Sequence, residues 1–219
     1  MESQLTKYEE YMRTDELLGL QKDERELCCP EELTFQIVHQ ISELHYKLVI
    51  QYIELAKAYM EAKCLSRAIN EMKKVDSQLK HLLETFNLLN AIRSKDYIYI
   101  RENIDLERTM DSPGYRAVLE KGSLLWEPFK ALLDERGITV SQLLNKGDSH
   151  YELYLLLQEM ISFDEIFQVL RNYYIKKDKE YAAAKNNEEE IGFCSKRTGE
   201  KFQFFPEIWK AISEQIQPK

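Results

Sequence analysis

The sequence predicts an all-α protein, in which three long helices form a bundle and shorter helices pack around it. Glycine and proline are scarce, at 7 and 5 among 219 residues, which favours long helices over a sheet with many tight turns. Apolar side chains recur every three or four residues over long stretches, as on one face of an α-helix. No internal repeat or low-complexity linker interrupts the chain. Residues 1–219 are therefore predicted to form a single helical domain.

The first third of the chain predicts a short helix followed by a long one. The short helix runs from Tyr8 to about Leu20, where Gly19 and a charged run end it. The long helix begins at Pro30, a residue favoured at the first helical position, and continues to about Lys63. Two apolar stripes predict that this helix is buried on two sides: Phe35, Val38, Ser42, Tyr46 and Val49 form one, and Ile37, Ile41, Leu44, Leu48, Tyr52, Leu55 and Tyr59 form the other.

Two further long helices are predicted to begin at Ser66 and near Ser149. Between them, a shorter helix is capped by Ser94, and the segment DSPGY is predicted to be a turn. The Gly-containing segment IGFCSKRTGEK is predicted to be a loop that leads to a final helix after Pro206. The core positions of the two long helices are Met72, Val75, Leu79, Leu82, Phe86, Leu89 and Leu153, Leu156, Met160, Phe163, Phe167, Leu170, Tyr174.

Composition and charge narrow the classes of partner. The net charge of −8 argues against nucleic acid, because phosphate binding requires a basic face. No run of about 18 apolar residues predicts a membrane span, and the start, MESQLTKYEE, lacks the apolar core of a secretion signal. The four cysteines have no zinc-site spacing and are predicted to be free thiols. The sequence thus predicts a cytoplasmic protein with a small-molecule or protein partner.

His39 is the most informative polar residue. It lies in the middle of the predicted helix FQIVHQISELHYK, accompanied by Gln40, Glu43 and Lys47. Burial of polar groups costs free energy unless they are hydrogen-bonded. The cluster therefore indicates a buried polar site centred on His39, and a structural histidine beside surface charges is the alternative.

Arg101 is the second candidate. It lies among apolar residues in YIYIREN, and a guanidinium in such a run is suited to bidentate binding of a buried carboxylate. The alternative is an internal salt bridge, for example with Glu43.

Seven blocks of the sequence match, in order, the motifs of one enzyme family. YEEYMRTDELLGLQ resembles its Y-x-x-Y-L-x-L-D-x-L-L block, and EELTFQIVHQISELHYK resembles its E-x-L-F-I-x-x-H-Q-x-x-E-L-W-x-K helix. YIYIREN, SPGY and FDEIFQVLRNYY resemble Y-x-x-F-R, S-x-G-F and F-Q-x-W-R-x-R-H. IGF with RTG, and FFPEIW, resemble I-G-F-x-x-G-T-G and F-F-P-E-L-F. The chain thus resembles the tryptophan 2,3-dioxygenase family, helical haem enzymes that cleave the indole ring with O2, and the resemblance implies their fold.

The resemblance also implies roles for the matched residues. Phe35 would line an aromatic pocket, and His39 would be the base-like residue that meets the substrate's ring N–H. Arg101 would bind the substrate carboxylate, and Thr198 would help to hold its ammonium group. The segment 1–22 would contact a neighbouring subunit of a homodimer or homotetramer, and its residues that would reach into that subunit's pocket are Tyr8, Tyr11 and Met12.

The main departure from the family concerns haem. The family's haem-ligating histidine ends its F-Q-x-W-R-x-R-H motif, where this chain has Tyr174, and no histidine follows His150. A tyrosinate can ligate haem iron where a cation such as Arg171 lowers its pKa; alternatively, Tyr174 is the last core residue of its helix. The sequence therefore predicts a tryptophan 2,3-dioxygenase-like oxidoreductase that acts on an aromatic amino acid or indole-like substrate, with Tyr174 as the candidate haem ligand. A haem-free member that binds an aromatic amino acid, or catalyses non-redox chemistry on it, is the alternative.

Overall fold

The structure, a computed structural model, describes residues 5–106, 108–145, 147–199 and 202–216. The regular elements in these ranges are all helices, which confirms the all-α prediction. The α-helices are, in chain order, α1 (Lys7–Met12), α2 (Thr14–Leu18), α3 (Glu31–Glu61), α4 (Leu65–Phe86), α5 (Ser94–Asn103), α6 (Pro113–Gly122), α7 (Trp126–Glu135), α8 (Val140–Asn145), α9 (Tyr151–Ala184), α10 (Glu188–Gly199) and α11 (Pro206–Ile216).

The core lies among the three longest helices. Helix α3 packs against α4, and α4 packs against α9, while α6 lies on α3 and α10 lies on α9. All the core positions predicted for α4 and α9 are buried. The spacing of three and four residues therefore identified the inward faces of both helices correctly.

Helix α3 differs from its prediction, because only one of its two apolar stripes is buried. Phe35, Val38 and Tyr46 lie in the core, but Leu44 on the other stripe is 54% exposed, and Ile37 and Leu48 are also exposed. The helices packed against α3 cover one face and leave Ile37, Leu44 and Leu48 at the surface of this chain, while Tyr52 and Tyr59 of the same stripe are half-buried against the core. The prediction of burial on two sides is thus wrong for the first part of α3 and holds only partly for the second.

The predicted N-terminal helix is two helices. Arg13 has a φ of 52°, in the left-handed region, and separates α1 from α2. The helix α1 is closed at its start by Thr6 and Glu9, whose side chains each accept a hydrogen bond from the other's backbone N–H.

Two segments predicted to be irregular are helical. In DSPGY, Ser112 caps α6 by accepting a hydrogen bond from the Tyr115 N–H at 3.0 Å, and Pro113 takes the first helical position. Most of IGFCSKRTGEK belongs to α10, whose first turn carries three glutamates. Acidic side chains stabilise a helix N-terminus through the helix dipole, which the loop prediction did not take into account.

None of the helices in the described ranges is both long enough and apolar enough to cross a membrane. The four cysteines are free thiols, as predicted.

Candidate functional site

A cavity of about 480 Å³ lies beside α3, at the segment that joins α5 to α6. Its volume is in the range of small-molecule sites. We refer to it as the His39 cavity. Its lining residues come from the N-terminal segment, from α3 and from the joining segment, and comprise Lys22, Glu32, Phe35, Gln36, His39, Gln40, Glu43, Ile104, Leu106, Thr109, Asp111, Ser112 and Pro113.

His39 presents a neutral hydrogen-bond acceptor at this cavity. Its Nδ1 atom lies 2.7 Å from the carbonyl oxygen of Phe35. Because a carbonyl can only accept, Nδ1 carries the proton and Nε2 keeps its lone pair. Burial lowers the pKa of His39, and the charge of Arg101 acts in the same direction, against the hydrogen bond to Phe35 and the carboxylate of Glu43. The imidazole is therefore neutral at pH 7.

An aromatic ring lies next to this acceptor. The rings of Phe35 and His39 have their centroids 4.2 Å apart, and the edge of Tyr97 packs against Phe35 at 5.6 Å. Successive positions one turn apart on α3 thus bring an aromatic face and a nitrogen acceptor to the same wall.

Glu43 joins α3 to the start of α6. Its carboxylate accepts hydrogen bonds from the Ser112 hydroxyl at 2.5 Å and from the Gly114 N–H at 3.0 Å. A Cβ atom at Gly114 would lie 2.6 Å from Glu43 Oε2 and from Tyr46 Cβ, so this close approach requires glycine. Sequence reasoning noted Glu43 beside His39 but did not find its partners, which lie in a separate motif, SPGY.

The N-terminal segment forms another part of the wall. The Lys22 ammonium lies 2.6 Å from Glu32 Oε1, and the other oxygen of Glu32 accepts the Cys28 N–H at 2.6 Å. The Lys22 N–H also donates to the side chain of Gln36 at 3.0 Å. Neither Lys22 nor Glu32 was predicted as a site residue, since nothing in the local pattern pairs a charged loop with the first turn of α3.

Arg101 is fully buried and does not line the His39 cavity. Its guanidinium pairs with Asp178 of α9, with 3.2 Å between Nη1 and Oδ1, and stacks 4.0 Å from the Tyr181 ring centroid. An internal salt bridge was the alternative considered for Arg101, but with Glu43 rather than Asp178 as its partner.

The Arg101–Asp178 pair holds the segment that forms the cavity wall. Arg101 Nε donates to the Leu106 carbonyl at 3.0 Å, and Asp178 accepts both the N–H and the hydroxyl of Thr109 at 2.9 Å. Burial raises the pKa of Asp178, against these hydrogen bonds and the charge of Arg101. Arg101 thus acts on the cavity through the positions of Leu106 and Thr109.

Residues 1–122, more than half of the chain, match the tryptophan 2,3-dioxygenase family. The chain belongs to this family. It is 21% identical to the tryptophan 2,3-dioxygenase of Myxococcus xanthus, over 97% of this chain and 91% of that protein. It is 24% identical to that of Shewanella woodyi and 29% identical to that of Kineococcus radiotolerans, in each case over 74% of this chain. The chain spans about half the length of these last two relatives, at 53% and 54%.

Tyr174, which the resemblance described above places at the position of the haem-ligating histidine, is enclosed in the core. It is 2% exposed, and its hydroxyl lies 2.7 Å from that of Tyr46. The rings of Phe86 and Tyr115 pack edge-on against it at 5.3 and 5.1 Å. Burial raises the pKa of Tyr174 well above its usual range, and Arg171, the candidate cation, donates to the Arg197 carbonyl at 3.1 Å. This packing does not fit a tyrosinate that ligates haem iron.

The other predicted site residues lie away from the cavity or outside the description. Tyr8, Tyr11 and Met12 are exposed on α1, at 67%, 84% and 48%, and do not line this chain's own cavity. Thr198 lies in α10, and its side chain is outside the described residues. Within the described ranges, no group of three His, Cys, Asp or Glu side chains could hold a metal ion.

Proposed function

We propose that this protein is a tryptophan 2,3-dioxygenase-like enzyme whose His39 cavity binds an aromatic amino acid or indole-like substrate. The observation that carries the proposal is the neutral His39 beside Phe35. An indole ring offers one N–H donor and two apolar faces. His39 Nε2 accepts the ring N–H, while Phe35 and the apolar side chains of the joining segment contact the ring faces.

The residues of this chain account for binding and orientation of the ring rather than for its oxidation. Haem supplies O2 chemistry in the family that the chain resembles, but the packing around Tyr174 offers that group no ligand, and we assign no step to it. The enclosed Tyr46–Tyr174 pair is the observation that supports a second candidate, a haem-free family member that keeps the aromatic pocket and binds its ligand or catalyses non-redox chemistry on it, whereas the family match supports the first.

The family resemblance implies that Arg101 binds the substrate carboxylate and that Thr198 helps to hold its ammonium group. These roles are compatible with the proposal, but the proposal does not depend on them. Arg101 would reach a ligand carboxylate only if Asp178 released the guanidinium. Recognition of the ring by His39 and Phe35 does not require that change.

We also propose that the protein is a homodimer or homotetramer, in which the segment 1–22 contacts a neighbouring subunit. The exposed Tyr8 and Tyr11 support this proposal, as does the exposed apolar stripe of α3 that carries Ile37, Leu44 and Leu48. Solvent-exposed apolar patches commonly mark interfaces between chains.

Paired ligands test the role of His39. We expect the protein to bind indole more tightly than 1-methylindole, which lacks the N–H, by about tenfold, the effect of one hydrogen bond. In His39→Ala this discrimination disappears, whereas in His45→Ala it persists, because His45 is on the same helix but bonds to Gln78. Calorimetry measures both affinities. Equal affinity of the unmodified protein for the two ligands contradicts the proposal.

Expression with a supply of haem tests the two candidate functions against each other. A haem absorption band in the purified protein, together with oxidation of an indole compound, would support the oxidoreductase. Ligand binding without such a band would support the haem-free member.

A further inference from the structure

We infer, on the basis of the proposed function, that the His39 cavity selects an aromatic amine: an indole-like ring that bears an ammonium group and no carboxylate. The inference comes from the charges along the cavity wall and from the pairing of the buried Arg101 guanidinium outside that wall.

The described wall carries an excess of negative charge. It contains the carboxylates of Glu32, Glu43 and Asp111 and one ammonium group, that of Lys22. Lys22 lies 2.6 Å from Glu32, so these two charges largely offset each other. The lowered pKa of His39 leaves its ring neutral at pH 7. Glu43 and Asp111 are therefore the lining charges that have no cation partner among the described wall residues, and a ligand group next to them meets negative charge, whereas the charge of Arg101 behind the wall acts at His39.

The hydrogen bonds to the Glu43 carboxylate bring no positive charge to it. They come from the Ser112 hydroxyl and the Gly114 N–H, which are neutral donors that fix the carboxylate in place. An ammonium group next to a fixed carboxylate in a partly buried site is attracted to it more strongly than in water. A ligand carboxylate at the same place would meet a like charge.

The buried guanidinium that could bind a ligand carboxylate lies outside the wall. Arg101 is not a lining residue, and its guanidinium is paired with Asp178, with 3.2 Å between Nη1 and Oδ1. To use it, a ligand carboxylate would have to displace Asp178, which also holds Thr109 through two hydrogen bonds. That exchange would detach part of the cavity wall.

The wall also sets a distance between the two polar contacts. Glu43 follows His39 by four residues on α3, so both lie on one face about one helical turn, or roughly 5–6 Å, apart. Ile104, Leu106 and Pro113 add apolar side chains to the same wall. A ring N–H at His39 and an ammonium at Glu43, joined by a short alkyl chain, match this arrangement.

Four probes that share the indole ring test the selectivity: indole, tryptamine, L-tryptophan and indole-3-propionate. We expect the full chain at pH 7 to bind tryptamine about tenfold more tightly than indole, as for one favourable charge contact. L-Tryptophan and indole-3-propionate should bind more weakly than tryptamine, and indole-3-propionate more weakly than indole.

Two variants test whether the wall carboxylates cause the preference for an ammonium group. Asp111→Asn changes an exposed side chain and should lower the ratio of tryptamine to indole affinity by about threefold, as expected at high dielectric. Glu43→Gln should lower it further. The control is Asp105→Asn, which is not in the wall and has a φ of 52° that asparagine tolerates; the ratio should be unchanged.

The outcomes separate this inference from the proposed function. If tryptophan or indole-3-propionate binds more tightly than tryptamine, the selectivity for amines is wrong and aromatic binding stands. A preference for tryptamine that persists in both Asp111→Asn and Glu43→Gln also overturns it, because the wall carboxylates would not be its cause. If none of the four probes binds, the proposed function itself fails.

Discussion

Helix α3 contributes polar side chains to two regions, and these side chains have different surroundings in each. At His39, the helix faces a cavity, and the imidazole uses one nitrogen for a backbone carbonyl and keeps the other for a ligand. Two turns later, Tyr46 faces a closed aromatic cluster in which its hydroxyl meets that of Tyr174. The family resemblance gives chemistry to both regions. The difference concerns Tyr174, to which the family resemblance gives the role of a haem ligand. Its place on the helix corresponds to that role, but the packing around it leaves no space for a ligand and disfavours the ionised side chain.

Loss of the Arg101 guanidinium should have the largest effect, because it links the wall of the His39 cavity to α9 through Leu106 and Asp178. Arg101→Ala leaves Asp178 buried without its cation, and we expect the free energy of unfolding to fall by about 3–5 kcal/mol. Urea denaturation measures the change. The exposed Arg116 provides the control, for which Arg116→Ala should change stability by less than about 0.5 kcal/mol.

A double variant shows whether the cost arises from the pair. Arg101→Ala combined with Asp178→Ala should be less destabilising than the sum of the two single changes, because no uncompensated charge remains. If Arg101→Ala instead leaves the unfolding curve unchanged and weakens binding of a carboxylate ligand, the family's role for Arg101 applies to this chain.

Loss of the Tyr174 hydroxyl tests the closed region. Tyr174→Phe leaves the Tyr46 hydroxyl buried without a partner, and we expect a loss of about 1–3 kcal/mol in the free energy of unfolding. The double variant Tyr46→Phe/Tyr174→Phe should recover part of this loss. A haem absorption band that is present in the unmodified protein and disappears in Tyr174→Phe would show that the region opens to ligate iron, contrary to the packing described above.

The sequence correctly predicted those features of the fold and the site that depend only on the spacing of residues along one helix. The inward faces of α4 and α9 follow from apolar periodicity, and Phe35 and His39 appear on one wall because they are one turn apart. Contacts between distant segments were not predictable in this way. The partner of Arg101 is on α9, and that of Glu43 is at the start of α6, and periodicity carries no information about which polar residues on different helices meet.

The interface between α4 and α9 gives a smaller, pH-dependent effect on stability. Burial raises the pKa of Asp76 from 3.8 to about 6, against a hydrogen bond donated by the Ser162 hydroxyl. The folded state therefore binds the proton more tightly than the unfolded chain, and stability falls as the pH rises from about 4 to about 6.

Asp76→Asn should remove this pH dependence and should reduce the destabilisation above pH 6 by about 1–2 kcal/mol. Thermal unfolding between pH 4 and pH 7 measures it (a window set by the two pKa values). Asp134→Asn, at an exposed position, should keep the slope of the unmodified protein. A slope that is the same in all three proteins would mean that Asp76 is not the titrating group.

The smallest effect on folding is expected at the N-terminal helix, and it tests whether the His39 cavity is completed by a second copy of the chain. Tyr8 and Tyr11 are exposed in this chain, so the double variant Tyr8→Ser/Tyr11→Ser should change the free energy of unfolding of a subunit by less than about 0.5 kcal/mol. If these rings pack against a neighbouring subunit, the same variant should shift the protein towards smaller species in sedimentation at micromolar concentration, and it should weaken indole binding as well. Sedimentation of the unmodified protein as a monomer would remove Tyr8, Tyr11 and Met12 from the site, and the cavity would then have to bind its ligand with the residues of one chain alone.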